Sequence, residues 1–169
     1  MSYNVKTDLR NEPGEPNKFR TFENLEVYQV AREFRKKMYA ATRQLPEFEK
    51  FELASQVRRA AVSLTNNIAE GHGRYHFADQ LRFLLAARGS LQELVDDLKI
   101  CDDEHYLEPG KIAALKNEAS HALDLINGYL RYLRDRKRTS QSTIRDADSV
   151  ADDDPITFPD ENRNYSASI

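Results

Sequence analysis

Residues 109–133 read PGKIAALKNEASHALDLINGYLRYL. Within them Ile112, Leu115, Ala119, Ala122, Ile126, Tyr129 and Leu133 recur at alternating steps of three and four. That spacing lays one apolar stripe along a 3.6-residue helix, and it continues without a fault for six turns. Pro109 stands at the opening, where a residue without an N–H costs nothing. A stripe of this length must be buried against other elements, so the rest of the chain has to supply matching faces.

It supplies three. A first helix is expected over about 24–44, with Leu25, Tyr28, Ala31, Phe34 or Arg35, Met38, Thr42 and Leu45 on one side. A second, over about 50–70, carries Leu53, Val57, Ala60, Leu64 and Ile68. A third runs from about 78 to 104 with Leu81, Leu84, Leu91, Leu94, Val95 and Leu98. Pro46, Gly71 with Gly73, and Pro109-Gly110 punctuate the joins. No segment alternates with period two over a strand's length. Four long helices with short connections bury their stripes most simply as an all-α, antiparallel up-down-up-down four-helix bundle.

The bundle is expected to occupy 19–138, with disordered tails at 1–18 and 139–169. The C-terminal segment is acidic, and Asp152-Asp153-Asp154-Pro155 is incompatible with a helix interior. Ile156, Phe158 and Tyr165 offer either a docking motif or a plain solubilising tail. The 169 residues carry a formal net charge of −3, but 18–138 holds 21 Lys and Arg against 18 Asp and Glu. A mildly basic middle is therefore flanked by acidic ends. The longest apolar run, Phe83–Ala87, is far too short to cross a bilayer, and one cysteine, Cys101, excludes an intramolecular disulfide framework. A cytoplasmic protein without a membrane partner is expected.

Two helices carry more than a core stripe. On the second, Gln56, Arg59, Ser63, Asn67, Glu70 and Arg74 form a polar edge, while Ala61, Val62, Thr65 and Ala69 leave the far side small. That pattern suits contact with a second partner, another subunit included. On the third, Arg88 falls within the arc of Phe77, Leu81, Leu85, Leu91 and Val95, where a guanidinium needs an acidic partner. Glu70 is the first candidate and Glu93 the second; the following Gly89 suggests a close backbone approach. The set Gln56, Arg59, Ser63, Asn67, Glu70, Arg88 and Glu93 reads as an interhelix or intersubunit network, with a catalytic or ligand cleft as the alternative.

Other chemistry finds less support. His72 and His76 are interrupted by Gly73, and Glu118–His121 is a single Glu-x-x-His where a bundle metal site uses two. Ser63 and Ser90 lack a histidine base, and no phosphate-cradling glycine loop occurs. No metal, no cofactor and no enzymatic activity are expected. Cations are the remaining handle. Arg58, Arg74 and Arg82 flank the turn between the second and third helices, and Arg131, Arg134, Arg136, Lys137 and Arg138 close the fourth. They are candidates for binding RNA or DNA, although cations at a helix C-terminus also complement its dipole.

The segments 56–63 (QVRRAAVS), 67–74 (NIAEGHGR), 83–94 (FLLAARGSLQEL) and 22–28 (FENLEVY) together resemble the bacterial four-helix bundle proteins named after intervening sequences of the 23S ribosomal RNA gene. The resemblance covers about 19–136. It implies a ring-like homo-oligomer, typically a pentamer, and brings no catalytic residue set. That family is related to accessory proteins of diversity-generating retroelements, barrel-shaped pentamers that bind nucleic acid and a reverse transcriptase; the strong basic excess expected of those is absent here. The expected function is a non-enzymatic oligomeric module that binds RNA or DNA, with a protein-docking scaffold or accessory subunit as the alternative.

Overall fold

Each of the four periodic segments becomes a helix in the computed structural model, which describes residues 21–150, with side chains as far as Thr139. They are α1 (Glu26–Thr42), α2 (Leu53–Gly73), α3 (Phe77–Asp103) and α4 (Pro109–Val150). Single 3-10 turns, Phe22–Asn24 and Glu47–Lys50, precede α1 and α2. The described residues contain no strand. The expected docking residues Ile156, Phe158 and Tyr165 lie outside the described residues, as does the segment 1–18.

The chain separates into two units, residues 1–137 and 138–169. In the first unit every helix is tied to both neighbours. Arg35 Nη1 of α1 donates to Thr65 Oγ1 of α2 at 2.9 Å. Gln56 of α2 donates to Asp97 of α3 at 2.9 Å. Lys116 of α4 lies 3.6 Å from Asp102 of α3, and Lys37 of α1 lies 2.6 Å from Glu118 of α4. The links therefore close the ring α1–α2–α3–α4 without a diagonal, as an up-down-up-down bundle requires.

The core follows steps of three and four on all four helices. On α3 it is Leu84, Ala87, Leu91, Leu94, Leu98 and Cys101; on α4 it is Ile112, Leu115, Ala119, Ala122, Ile126, Leu130 and Leu133. Val27, Ala31, Phe34 and Met38 answer from α1, with Val57, Ala60, Leu64 and Ile68 from α2. Fully burying one of the larger side chains contributes about 1.5–3 kcal/mol. The apolar seam thus outweighs any polar link named above.

Helix ends are fixed by local chemistry. The Thr21 hydroxyl accepts from Glu23 N–H while Asn24 reaches back to Thr21 N–H, a capping box over the first turn. Glu49 accepts from Leu53 N–H at 3.1 Å and from the Tyr106 hydroxyl at 3.0 Å, joining the start of α2 to the α3–α4 connection. At the end of α3, His105 adopts φ 55°, and Tyr106 N–H returns to the Cys101 carbonyl at 2.9 Å. This is a Schellman closure with histidine where glycine is usual. At its other end α4 continues past residue 138, where composition places the boundary of the helical region, to Val150. The reason is negative: no proline or glycine follows until Pro155, and polar residues alone do not stop a helix.

Candidate functional site

The polar edge of α2 divides between two neighbours. Its inner part is consumed by α3. Ser90 Oγ donates to Ser63 Oγ at 2.8 Å, and Asn67 Nδ2 reaches the same hydroxyl at 3.1 Å and the Ser63 carbonyl at 2.8 Å. Further along the same edge, Gln56 Nε2 meets Asp97 Oδ1. Gln56, Ser63 and Asn67 are all half-buried. These three are brought together as an interhelix network within one chain.

Asp97 is the residue that sequence reading missed. It is fully buried, and its second oxygen, Oδ2, has no hydrogen-bond partner among the described residues. Burial pushes its carboxyl up to about 6, the nearby Glu93 charge adds to the rise, the Gln56 hydrogen bond opposes it, and Asp96 raises it further. A signal existed: Asp97 stands three residues after Leu94 and four before Cys101, inside the apolar stripe. Cys101, one turn on, is buried, and burial followed by the Asp97 and Glu49 charges pushes its thiol up to about 11.

Glu70 and Arg88 are not partners. Glu70 forms an ion pair with Arg74, the residue that caps its own helix, and both are exposed. Arg88 is exposed and has no ion pair among the described residues; Glu93, also exposed, acts on Asp97 instead. The cause is a choice between two stripes on α3. The bundle buries Leu84, Ala87, Leu91, Leu94 and Leu98, which turns the arc of Leu81, Leu85 and Arg88 to the flank. Leu81 is half-buried there and Leu85 remains 47% exposed. The close approach expected at Gly89 is also elsewhere: a Cβ on Gly89 would meet nothing within 4 Å, whereas one on Gly71 would sit 3.1 Å from Phe83 Cβ.

The antiparallel topology brings the α2–α3 turn and residues 131–137 of α4 to the same end of the bundle. Arg74 and Arg82 lie over the Phe83 ring at 4.8 and 5.4 Å from its centroid. Tyr75 beside them is 92% exposed and packs edge-on to His76. On α4, Arg131, Arg134 and Arg136 are exposed and Lys137 is half-buried. Arg136 lies 5.9 Å from the Tyr132 ring, which stacks on Tyr129. Arg138 falls in the second unit, where it is exposed.

Arg58 and Arg59 lie away from that end, toward the start of α2. With Tyr39 of α1 and Ser55, Val62 and Asn66 of α2 they line an open groove of about 540 Å³ on the outer flank of α2, whose inner rim is the Ser63 and Asn67 already engaged toward α3. Arg58 Nη2 donates to the Lys50 carbonyl at 3.0 Å, and Arg59 Nη1 to Ser55 Oγ at 2.9 Å. Neither has a carboxylate partner among the described residues, and no acidic residue lines the groove. Tyr39 could not be joined to this set by spacing, since it arrives from another helix.

Among the described residues, no three His, Cys, Asp or Glu side chains gather to hold a metal ion, and no helix is long and apolar enough to cross a membrane. Compared with curated proteins, the chain finds no match. A family model does match it over residues 23–128, from the 3-10 turn before α1 into the last part of the bundle. By that match, which spans both unusual helices, the chain belongs to the family described as 23S rRNA-intervening sequence protein.

Proposed function

We propose that the protein is a non-enzymatic, homo-oligomeric four-helix module that binds RNA or DNA through surface cations. The observation that carries the assembly is the second apolar stripe of α3. Leu85 is 47% exposed beside half-buried Leu81, and the α-carbon of Gly89 faces open space. Apolar surface left over from the core stabilises nothing in a lone protomer, and a neighbouring helix approaching at Gly89 would cover it. A pentamer is the assembly that the family resemblance implies.

Nucleic-acid binding is supported by Arg74, Arg82, Arg131, Arg134, Arg136 and Lys137 at one end of the bundle, next to the exposed Tyr75 ring. Cations interleaved with aromatic faces can hold a phosphate backbone and stack its bases. The solution mass of the full chain, with and without Leu85→Glu, tests the assembly. The expected result is a multiple of 19.5 kDa that falls to one protomer in the variant, with helicity retained. A wild-type protein of protomer mass at micromolar concentration overturns it. Binding to structured RNA should weaken steeply with salt; absent or salt-independent binding overturns that part.

A second reading, a scaffold that recruits a partner protein, is favoured by Phe48 and Phe51, which are 70% and 78% exposed at the opposite end. Replacing both by serine should then abolish recruitment while leaving mass and RNA binding intact.

A further inference from the structure

We infer that the groove on the outer flank of α2, between Arg58, Arg59, Asn66 and Tyr39, is a phosphate-binding site. It rests on the nucleic-acid reading above and deepens it by moving one point of contact away from the basic end of the bundle.

The groove is built from donors. A guanidinium carries five N–H groups in a rigid fork suited to paired oxygens, and Arg58 and Arg59 each direct one bond to a neutral acceptor, the Lys50 carbonyl and Ser55 Oγ. Most of their donor capacity is unused. The Asn66 side-chain amide is exposed and makes no hydrogen bond among the described residues. No acidic side chain lines the groove to neutralise this set. That sets it apart from Lys37, Lys50, Arg74, Lys99 and Lys116, each of which has a carboxylate nearby.

Length and shape agree with the charge. From Ser55 to Asn66 the helix rises about 16 Å at 1.5 Å per residue, enough for more than one phosphate of a strand. Val62 and the Tyr39 ring provide an apolar wall against which a sugar or base can rest. About 540 Å³ also accommodates a mononucleotide, so the shared chemistry is a phosphate oxyanion, presented by a strand or by a free nucleotide.

The test uses the full chain and three probes: a labelled single-stranded oligonucleotide, a nucleoside monophosphate and inorganic phosphate. Anisotropy across a salt series reads strand binding, and the Asn66 side-chain amide resonance reads the groove. Arg58→Gln with Arg59→Gln is expected to weaken strand binding at least tenfold at low salt. It should also flatten the log–log salt slope by about 1.4, for two phosphates released from a single strand. A charge-matched control, Arg32→Gln with Lys36→Gln, should stay within about twofold of wild type. Thermal melts verify that both pairs fold. If nucleotide and phosphate shift Asn66 in the wild type but no strand binds, the site stands and the nucleic-acid reading fails. If strand affinity and slope are unchanged in the double variant, the site fails and that reading stands. If the double variant instead lowers the oligomer mass while Asn66 ignores every phosphate probe, the groove is a subunit contact and the inference is overturned.

Discussion

The inner and outer flanks of α2 are both polar and behave oppositely. Toward α3, Gln56, Ser63 and Asn67 spend their polar atoms inside the chain, on Asp97, on Ser90 and on one another. On the outer side, Arg58, Arg59 and Asn66 direct theirs at neutral oxygens or at nothing within the described residues. On one helix Arg59 and Asn66 lie about 60–80° around from the inner set, and Arg58 about 160°. Asn66 and Asn67 compare like with like: one is bonded to Ser63 and the other is open, so at these two the neighbour decides whether an amide is architecture or an open valence.

That contrast can be broken most severely from beneath, at the core face that holds α2 in place. Leu64 is fully buried there, and Leu64→Ala should cost about 2–5 kcal/mol in chemical denaturation, loosening the helix that carries both flanks. A smaller change isolates the inner flank through pH. Asp97 binds its proton more tightly folded, near 6, than the 3.8 of an ordinary aspartate. Its contribution to stability is therefore complete below about pH 4 and is lost as pH rises through 6. Relative to Asp97→Asn, the wild type should lose up to about 3 kcal/mol between pH 4 and 7, since each tenfold change in proton affinity is worth about 1.4 kcal/mol. A flat difference would show that Asp97 is solvated, and one of opposite sign that its charged form is stabilised in the fold.

Next in size is the hydroxyl pair. Ser63→Ala strips Ser90 and Asn67 of a shared partner in a half-buried site, with an expected cost of about 1 kcal/mol. A double-mutant cycle with Ser90→Ala should return a coupling of similar size. Smallest is the outer flank, where Arg58→Gln and Arg59→Gln should each move stability by less than about 0.5 kcal/mol, because neither breaks an ion pair among the described residues. Stability loss at Arg59 equal to that at Ser63 would erase the distinction between the flanks.

How far these features were legible from sequence depended on how many faces a segment offered. The stripe of α4 has one reading: Ile112, Leu115, Ala119, Ala122, Ile126 and Leu133 are buried as spacing requires, and at Tyr129 the half-buried ring yields the core position to Leu130. Helix α3 offers two apolar arcs, one through Leu81 and Leu85 and one through Leu84, Leu91 and Leu98. Spacing reads both, with Leu84, Leu91, Leu94 and Leu98 on the expected face; only packing shows that the first arc stays at the flank, and Arg88 moves from interior to surface with it. Asp97 was hidden for the converse reason, since an acidic residue near Asp96, Asp102 and Asp103 reads as part of a solvated run until the helix is rotated. The groove was illegible because Tyr39 joins it from α1, and no one-dimensional spacing connects residue 39 to residue 62. The continuation of α4 to Val150 was missed because polar composition argued for a tail where nothing in the backbone forbids a helix.

Cys101 gives this bundle a gauge of its own opening. The thiol is buried between the α3 seam and Asp97 and held protonated up to about pH 11, so a thiol reagent in neutral solution meets neither an accessible sulfur nor a thiolate. Modification must wait for the helices around it to part. The ratio of its rate to that of an unfolded peptide thiol measures the fraction of molecules momentarily open. Because the chain has a single cysteine, that clock runs in the unaltered sequence, with no label engineered in and no second thiol to confuse the count.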